Sequence, residues 1–252
     1  MRFAILSDIH GNVHALEAVL ADARRRSIEQ FVNLGDILYG PLWPRETFDL
    51  LQTIAAVTIQ GNQDRDIYEA GAPQVKKNPT LAFVIDDLGA GPIAWLESLP
   101  KAAMVADDVF ACHGTPRSDT VYLLEDVTTG GPVVRAEEAI LSELGCVASP
   151  VILCGHTHIP RVVQLSSGTV IVNPGSVGVP AYDDDLPAYH VMQNHSPFAS
   201  YAIIEKRDGA WQAELVKIPY DHSLAARRAR ENGRGDWAEW IATGRVAARD
   251  EN

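Results

Sequence analysis

Five short apolar runs in this chain are each followed within two residues by Asp, Asn or His, and that recurrence restricts the fold more than any other feature. The run 2–7 leads into Asp8 and His10, 31–34 into Gly35-Asp36, 55–60 into Gly61-Asn62, 109–112 into His113, and 151–154 into Gly155-His156-Thr157-His158. Runs of this length, bounded by Gly, Asp and Asn, read as strands; 55–60 reads as a buried one, and 170–173 adds a sixth strand. Between the first two, Ala15, Leu16, Val19, Leu20 and Ala23 recur at helical spacing, so the chain alternates strand and helix. In open α/β sheets ligands bind beyond the carboxyl ends of the strands. Asp8, His10, Asp36, Asn62, His113, His156 and His158 are therefore expected to meet at one site.

Charge and composition narrow what that site could serve. The 252 residues carry a formal net charge of -12, which disfavours a surface that holds long nucleic acid or anionic membrane by charge alone. An anionic substrate would need a local source of positive charge. With 46% hydrophobic residues the chain can build an ample core without disulfides. Cys112, Cys146 and Cys154 are an odd number in a chain that opens without a basic, apolar export signal, which fits a reducing cytoplasm. Cys112 and Cys154 lie in apolar runs and read as buried strand thiols. No apolar stretch approaches the ~20 residues needed to span a bilayer.

No repeat or linker divides the chain, so residues 1–252 read as one domain: a catalytic core over 1–219 and a helical tail over 220–252. In the tail, helical residues 223–243 break at Gly233-Arg234-Gly235, and Trp237, Trp240 and Ile241 share one face that should pack on the core. Asp107-Asp108 and Asp208-Gly209 mark hairpins, so the sheets should be mixed.

Four histidines, two aspartates and an asparagine at successive strand ends have no structural purpose that would offset burying them. Buried charges are costly unless paired or bound to metal, and a metal cluster satisfies them together. A mixed carboxylate and imidazole set suits Mn, Fe, Zn or Ni, whereas all-oxygen cages suit Mg or Ca.

Asp8-x-His10, Gly35-Asp36, Gly61-Asn62-x-Asp64, His113 and Gly155-His156-x-His158 together resemble the signature of the calcineurin-like metallophosphoesterases, in the family's order, over residues 1 to 180. The segments 35–41 and 173–178 further resemble its small bacterial and archaeal phosphodiesterase branch. The resemblance implies a four-layer αββα sandwich, an α/β (α+β) fold of two mixed sheets flanked by helices. It implies one divalent metal held by Asp8, His10, Asp36 and His158, and a second held by Asp36, Asn62, His113 and His156, with Asp36 bridging. Manganese is the first candidate, with iron, zinc or nickel as alternatives. It also implies a phosphodiesterase acting on a small-molecule, nucleotide-like phosphoester by attack of a metal-bridging hydroxide, with Asp36, Asn62, Gln63 and His113 as the catalytic set. A non-catalytic scaffold of the same fold is the competing reading, but scaffolds would be expected to lose ligands and none is lost here.

Gln63 departs from the pattern. The family's common form has a histidine there, which contacts the phosphate and can protonate the leaving oxygen; glutamine donates a hydrogen bond but no proton. Around the site, Asn12, Asn62, Gln63 and Arg117 are candidates to hold the phosphate. Asn12 reads equally as the N-cap of the first helix, and Arg117 as a solvated loop arginine. His14 reads as a surface residue, and Asp64 as an acid that orients a metal ligand from behind. Tyr39, Tyr182 and Asp183-Asp184-Asp185 could shape the mouth, and the segment 178–200, with His190 and His195, is long enough to cover it.

Overall fold

Side chains in the strands alternate between two apolar layers, and that alternation builds the molecule. The computed structural model describes residues 1–248. Strand β1 (Arg2–Leu6), helix α1 (Val13–Arg25), β2 (Phe31–Asn33), α2 (Pro44–Leu51) and β3 (Ala56–Thr58) come first. Four helices follow: α3 (Asn62–Glu69), α4 (Ala72–Lys77), α5 (Pro79–Leu88) and α6 (Ala90–Ser98). Then come β4 (Ala102–Ala106), β5 (Val109–Cys112), the short pair β6 (Glu125–Asp126) and β7 (Val133–Val134), α7 (Glu137–Leu144), β8 (Val151–Leu153), β9 (Arg161–Gln164) and β10 (Val170–Asn173). The chain closes with the pair β11 (Ala181–Asp184) and β12 (His190–Gln193), the long hairpin β13 (Ala199–Arg207) and β14 (Ala210–Ile218), and helices α8 (His222–Glu231) and α9 (Gly235–Thr243).

The strands form two mixed five-stranded sheets, β14-β13-β1-β2-β3 and β4-β5-β8-β10-β9. Phe3 and Ile5 of β1 face Val151 and Leu153 of β8 in a layer between the sheets, while Ala4 and Leu6 face the other way onto α1 and its neighbours. Ile152 and Cys154 likewise point outward, beneath Ile140 and Leu144 of α7. Period-2 alternation thus serves two cores per sheet, which is why the strands read as nearly continuous apolar runs. The result is helices, sheet, sheet, helix: the four-layer sandwich and mixed α/β class expected above.

The expected strands, both hairpins and the break in the tail are present. One strand differs in its surroundings. β3 is an edge strand, paired only with β2 among the described residues, and Val57 is 37% exposed, so this run is not the buried strand that its composition suggests. Its apolar residues sit at a sheet margin that no sequence spacing marks. Trp237, Trp240 and Ile241 of α9 are buried in the same core as α1, and α8 packs on α9. No helix among the described residues is long and apolar enough to cross a membrane. Cys112 and Cys154 are buried free thiols and Cys146 is exposed.

Candidate metal centre

The strand-end loops come together in two groups of three ligand atoms. Asp8, His10 and His158 form one, and Asp36, His113 and His156 the other; within each group the donor atoms all lie within 4.8 Å of one another. Asn62 joins the second group, its Oδ1 lying 3.1 Å from His113 Nε2. Asp36 Oδ1 lies 3.6 Å from the same nitrogen. All seven ligands expected from the strand ends therefore sit at one locus.

Local backbone strain accompanies this convergence. Asp8, His10, Asp36, His156 and His158 have φ of 55°, 53°, 53°, 68° and 59°, in the left-handed region that non-glycine residues rarely occupy. Each costs on the order of 1–2 kcal/mol, which persists only where the surroundings over-determine the conformation. Close approach of the loops also demands glycine at two points. A Cβ on Gly61 would overlap Asp36 Oδ1, and one on Gly155 would overlap Ser7 Oγ.

Hydrogen bonds aim the imidazoles. Nδ1 of His10 meets the carbonyl of Tyr39 at 3.0 Å, that of His113 the carbonyl of Leu34 at 2.7 Å, and that of His158 the carbonyl of Val179 at 2.6 Å. A carbonyl can only accept, so each Nδ1 carries the proton and each Nε2 is turned toward the cluster. Asp64 accepts from the main-chain N–H of Ile37 at 2.9 Å and of Gly61 at 3.0 Å. It therefore ties the Asp36 loop to the Asn62 loop through their backbone, and does not orient a histidine.

Electrostatics in this buried cluster are set by competition. Burial pushes the imidazoles of His10 and His156 down to about 4, with the facing charges of His158 and His113 respectively adding to the effect, so both are neutral and able to ligate. Burial alone would lower His113 too, but the Asp36 carboxylate outweighs it and raises it to about 10. Burial would raise Asp8 and Asp36, yet His158 holds the first, and His113 the second, below the ordinary carboxylate value. Asp64, desolvated and beside the Asp36 charge, is pushed up to about 7.

The donor set fits divalent cations on one specific observation. His10 Nε2 and His158 Nε2 are 3.1 Å apart, and Asp8 Oδ1 lies 3.3 Å from the latter with no hydrogen-bond partner of its own. With Nδ1 of each ring bound to a carbonyl, two imidazole nitrogens and a carboxylate oxygen are turned on one another in a buried pocket, the mixed nitrogen and oxygen donor set that suits a divalent transition-metal cation.

A cavity of about 220 Å³ opens onto the cluster, lined by His10, Asp36, Asn62, Gln63, His156 and His158 on one side and by Tyr39, Tyr182, Asp183, Asp184, Arg234, Trp237 and Trp240 around its walls. Gln63 is thus at the site; its main-chain N–H donates to Asp36 Oδ1 at 2.8 Å and its Oε1 is buried without a partner. The segment 178–200 does reach the mouth, through Tyr182 and the two aspartates of β11. His190 is buried under it against Tyr122 OH at 3.0 Å.

Two expected phosphate-binding residues are elsewhere. Asn12 is fully buried and spent: its Oδ1 caps α1 at Ala15, and its Nδ2 donates to Gly178 and Tyr220. Arg117 donates to the carbonyl of Ser142 at 2.8 Å, near the end of α7, and is not on the cavity wall. His14 pairs with Glu17 and meets Trp43 edge-on, also off the wall. In their place stands Arg234, whose mark in the sequence is the flanking Gly233 and Gly235; the shared apolar face of Trp237 and Trp240 beside it points to core packing and not to a site.

Comparison with known proteins agrees with this geometry. The family model for the calcineurin-like phosphoesterase superfamily domain matches residues 1–196. Over 272 aligned positions the chain is 26% identical to the uncharacterized protein MJ0912 of Methanocaldococcus jannaschii, covering 93% of this chain and 94% of that one. The crystal structure of a metallophosphoesterase from Sphaerobacter thermophilus superimposes with a TM-score of 0.76 at 28% identity, over 97% of this chain and all of that one.

Proposed function

We propose that this chain, which belongs to the calcineurin-like phosphoesterase superfamily, is a binuclear metal-dependent phosphodiesterase acting on small or nucleotide-like esters. The observation that carries the reading is the pair of three-ligand groups, with Nε2 of His10 and Nε2 of His158 turned on each other across 3.1 Å. Asp8, His10 and His158 would hold one cation and Asp36, His113, His156 and Asn62 the other, with Asp36 proposed as the carboxylate they share. Two bound divalent cations would supply Lewis acidity toward phosphoryl oxygens and lower the pKa of a coordinated water to near neutrality. Manganese, then iron, zinc or nickel, suits the donor types.

The protein's own residues supply orientation. Asp64 and the three carbonyl-bound imidazoles hold the ligands in place before substrate arrives, so little reorganisation accompanies the reaction. Gln63 can donate its amide N–H to a phosphate oxygen and has no proton to give a leaving group. Tyr182 and Trp237 narrow access for bulk water.

A diester, more than a monoester, suits the space. A second cavity, of about 760 Å³ and lined by Tyr122, Arg135, Leu186 and Pro187, shares Asn62, His156 and Asp184 with the first. A phosphorus centre lodged at Asn62 and His156 could send one substituent each way. The acidic surface disfavours long nucleic acid or anionic membrane as a partner, and three free cysteines fit a cytoplasmic setting.

The test is metal analysis of the purified protein coupled to turnover of phosphomonoesters, diesters and dinucleotides, with Asp36→Asn alongside. Expected is metal-dependent diester turnover in the native protein, with loss of most activity and of metal at both positions in the variant. Asn62→Ala should lose less. Normal turnover and unchanged metal content in Asp36→Asn would overturn the binuclear reading, and no turnover at full metal load would overturn the enzymatic one.

A further inference from the structure

Helix α9 does more than cover the core, because its first turn stands in the wall of the active-site cavity. Arg234, at the N-cap of α9, is the one Lys or Arg side chain on that wall among the described residues. Asp236 grips it through Nε at 2.9 Å and Nη2 at 2.6 Å, and Nη1 donates to Thr80 Oγ1 at 2.8 Å. Its guanidinium lies 5.3 Å from the centre of the Trp237 ring, and that ring meets the His10 imidazole edge-on at 5.5 Å. The metal-ligand cluster, the tryptophan and the guanidinium thus form a continuous wall.

A guanidinium has five N–H groups; these contacts use one on each nitrogen and the Tyr39 hydroxyl also accepts from the guanidinium, so what remains for a ligand lies on the terminal Nη atoms. The remaining donors belong to a side chain already immobilised by its partners, so little rotamer entropy is lost when an anion binds. Asp236 offsets part of the charge, but it also fixes the fork. On another part of the wall, Asp183 and Asp184 repel an anion, which directs one toward Arg234.

Resting on the phosphoesterase reading above, we infer that Arg234 is a specificity residue that binds a second anionic group on the substrate, a carboxylate or a further phosphate, carried on the substituent that enters this cavity. The volume of about 220 Å³ restricts that substituent to a compact one. The cation also answers the charge problem posed by an acidic protein with an anionic substrate.

The test is calorimetric titration of the manganese-loaded protein with two non-hydrolysable probes of similar size, 3-phosphonopropionate and propylphosphonate. Charge-assisted hydrogen bonds to one guanidinium correspond to about 10- to 100-fold in affinity. The native protein should prefer 3-phosphonopropionate by that factor, Arg234→Gln should lose the preference while binding propylphosphonate normally, and Arg234→Lys should keep part of it. A native protein without preference, or a preference that survives in Arg234→Gln because the carboxylate chelates metal, would overturn the assignment and leave the phosphoesterase reading standing. Failure of the native protein to bind either probe would overturn both. Thermal melting of each variant separates loss of the subsite from loss of the fold, and Arg234→Lys carries the comparison if Arg234→Gln melts early.

Discussion

His10 Nε2 faces His158 Nε2 across 3.1 Å, while the opposite nitrogens of both rings are held by the carbonyls of Tyr39 and Val179. The two rings are separated by 148 positions in the chain. Neither can turn away without losing a buried hydrogen bond, so the close approach of the two Nε2 atoms is built into the fold. Cation binding should then be strongly linked to stability. A cation present at 100 times its dissociation constant stabilises the folded state by about 2.7 kcal/mol, and a domain of this size gains about 2–4 °C per kcal/mol. Stripping the metal with a chelator should lower Tm by roughly 5–10 °C in differential scanning calorimetry, and restoring Mn or Zn should reverse it. An unchanged Tm would mean that the cluster is satisfied without a cation.

Gln63 lines the cavity beside Asp36, in the place where the family's common form has a histidine. General acid catalysis contributes about 100- to 10,000-fold and matters most for poor leaving groups. Native activity should depend steeply on leaving-group acidity, with aryl esters turning over and alkyl esters lagging. Gln63→His should raise rates on esters with basic leaving groups more than on activated aryl esters, flattening the dependence. The measurement is a series of phosphodiesters of graded leaving-group acidity at matched metal loading. A flat dependence in the native enzyme where chemistry limits the rate would show that another group supplies the proton.

Asp22, on the buried face of α1, accepts from Tyr201 OH at 2.6 Å, Arg25 Nη2 at 2.8 Å and Arg26 Nε at 2.8 Å. Burial would raise its carboxyl, but these donors outweigh it and lower it below the ordinary 3.8. A carboxyl lowered on folding contributes stability that is fully present above its unfolded pKa and is lost as pH falls through the folded one. Asp22→Asn should therefore cost about 1–3 kcal/mol at pH 7, and the gap to the native protein should close below pH ~4. Urea titrations at pH 7 and pH 3 measure both; an equal gap at the two pH values would show that charge on Asp22 is not what stabilises α1.

Deleting residues 221–252 removes Trp237, Trp240 and Ile241 from the main core without removing a metal ligand. Loss of one buried tryptophan alone costs about 3–5 kcal/mol. The truncated protein should melt well below the full chain, yet still gain stability from added metal. Melting at the full-length temperature would make the tail a separate unit.

What the amino-acid order determined by itself was the set of strands and the residues that follow them. Asp8, His10, Asp36, Asn62, His113, His156 and His158 lie one to four residues beyond a strand's last apolar position, and chain geometry carries such residues to the sheet's carboxyl edge wherever helices and turns fall elsewhere. The nearly continuous apolar character of the runs also pointed to burial, because a strand apolar at successive positions offers both of its faces to a core. Only tertiary structure decided which surfaces meet. Ala55–Gln60 has strand composition, but its place at a sheet margin depends on what pairs with it, and so Val57 is exposed. Asn12 and Arg117 lie close in sequence to metal ligands and yet point into other networks, since a side chain's direction follows from its packing, not its distance along the chain. Arg234 is 224 positions from His10 and shares a cavity wall with it because the apolar face of α9 is buried against the α1 layer. Burial of that face is a sum of many weak, non-directional contacts between distant segments, and no spacing within the sequence records where such a sum will place a single guanidinium.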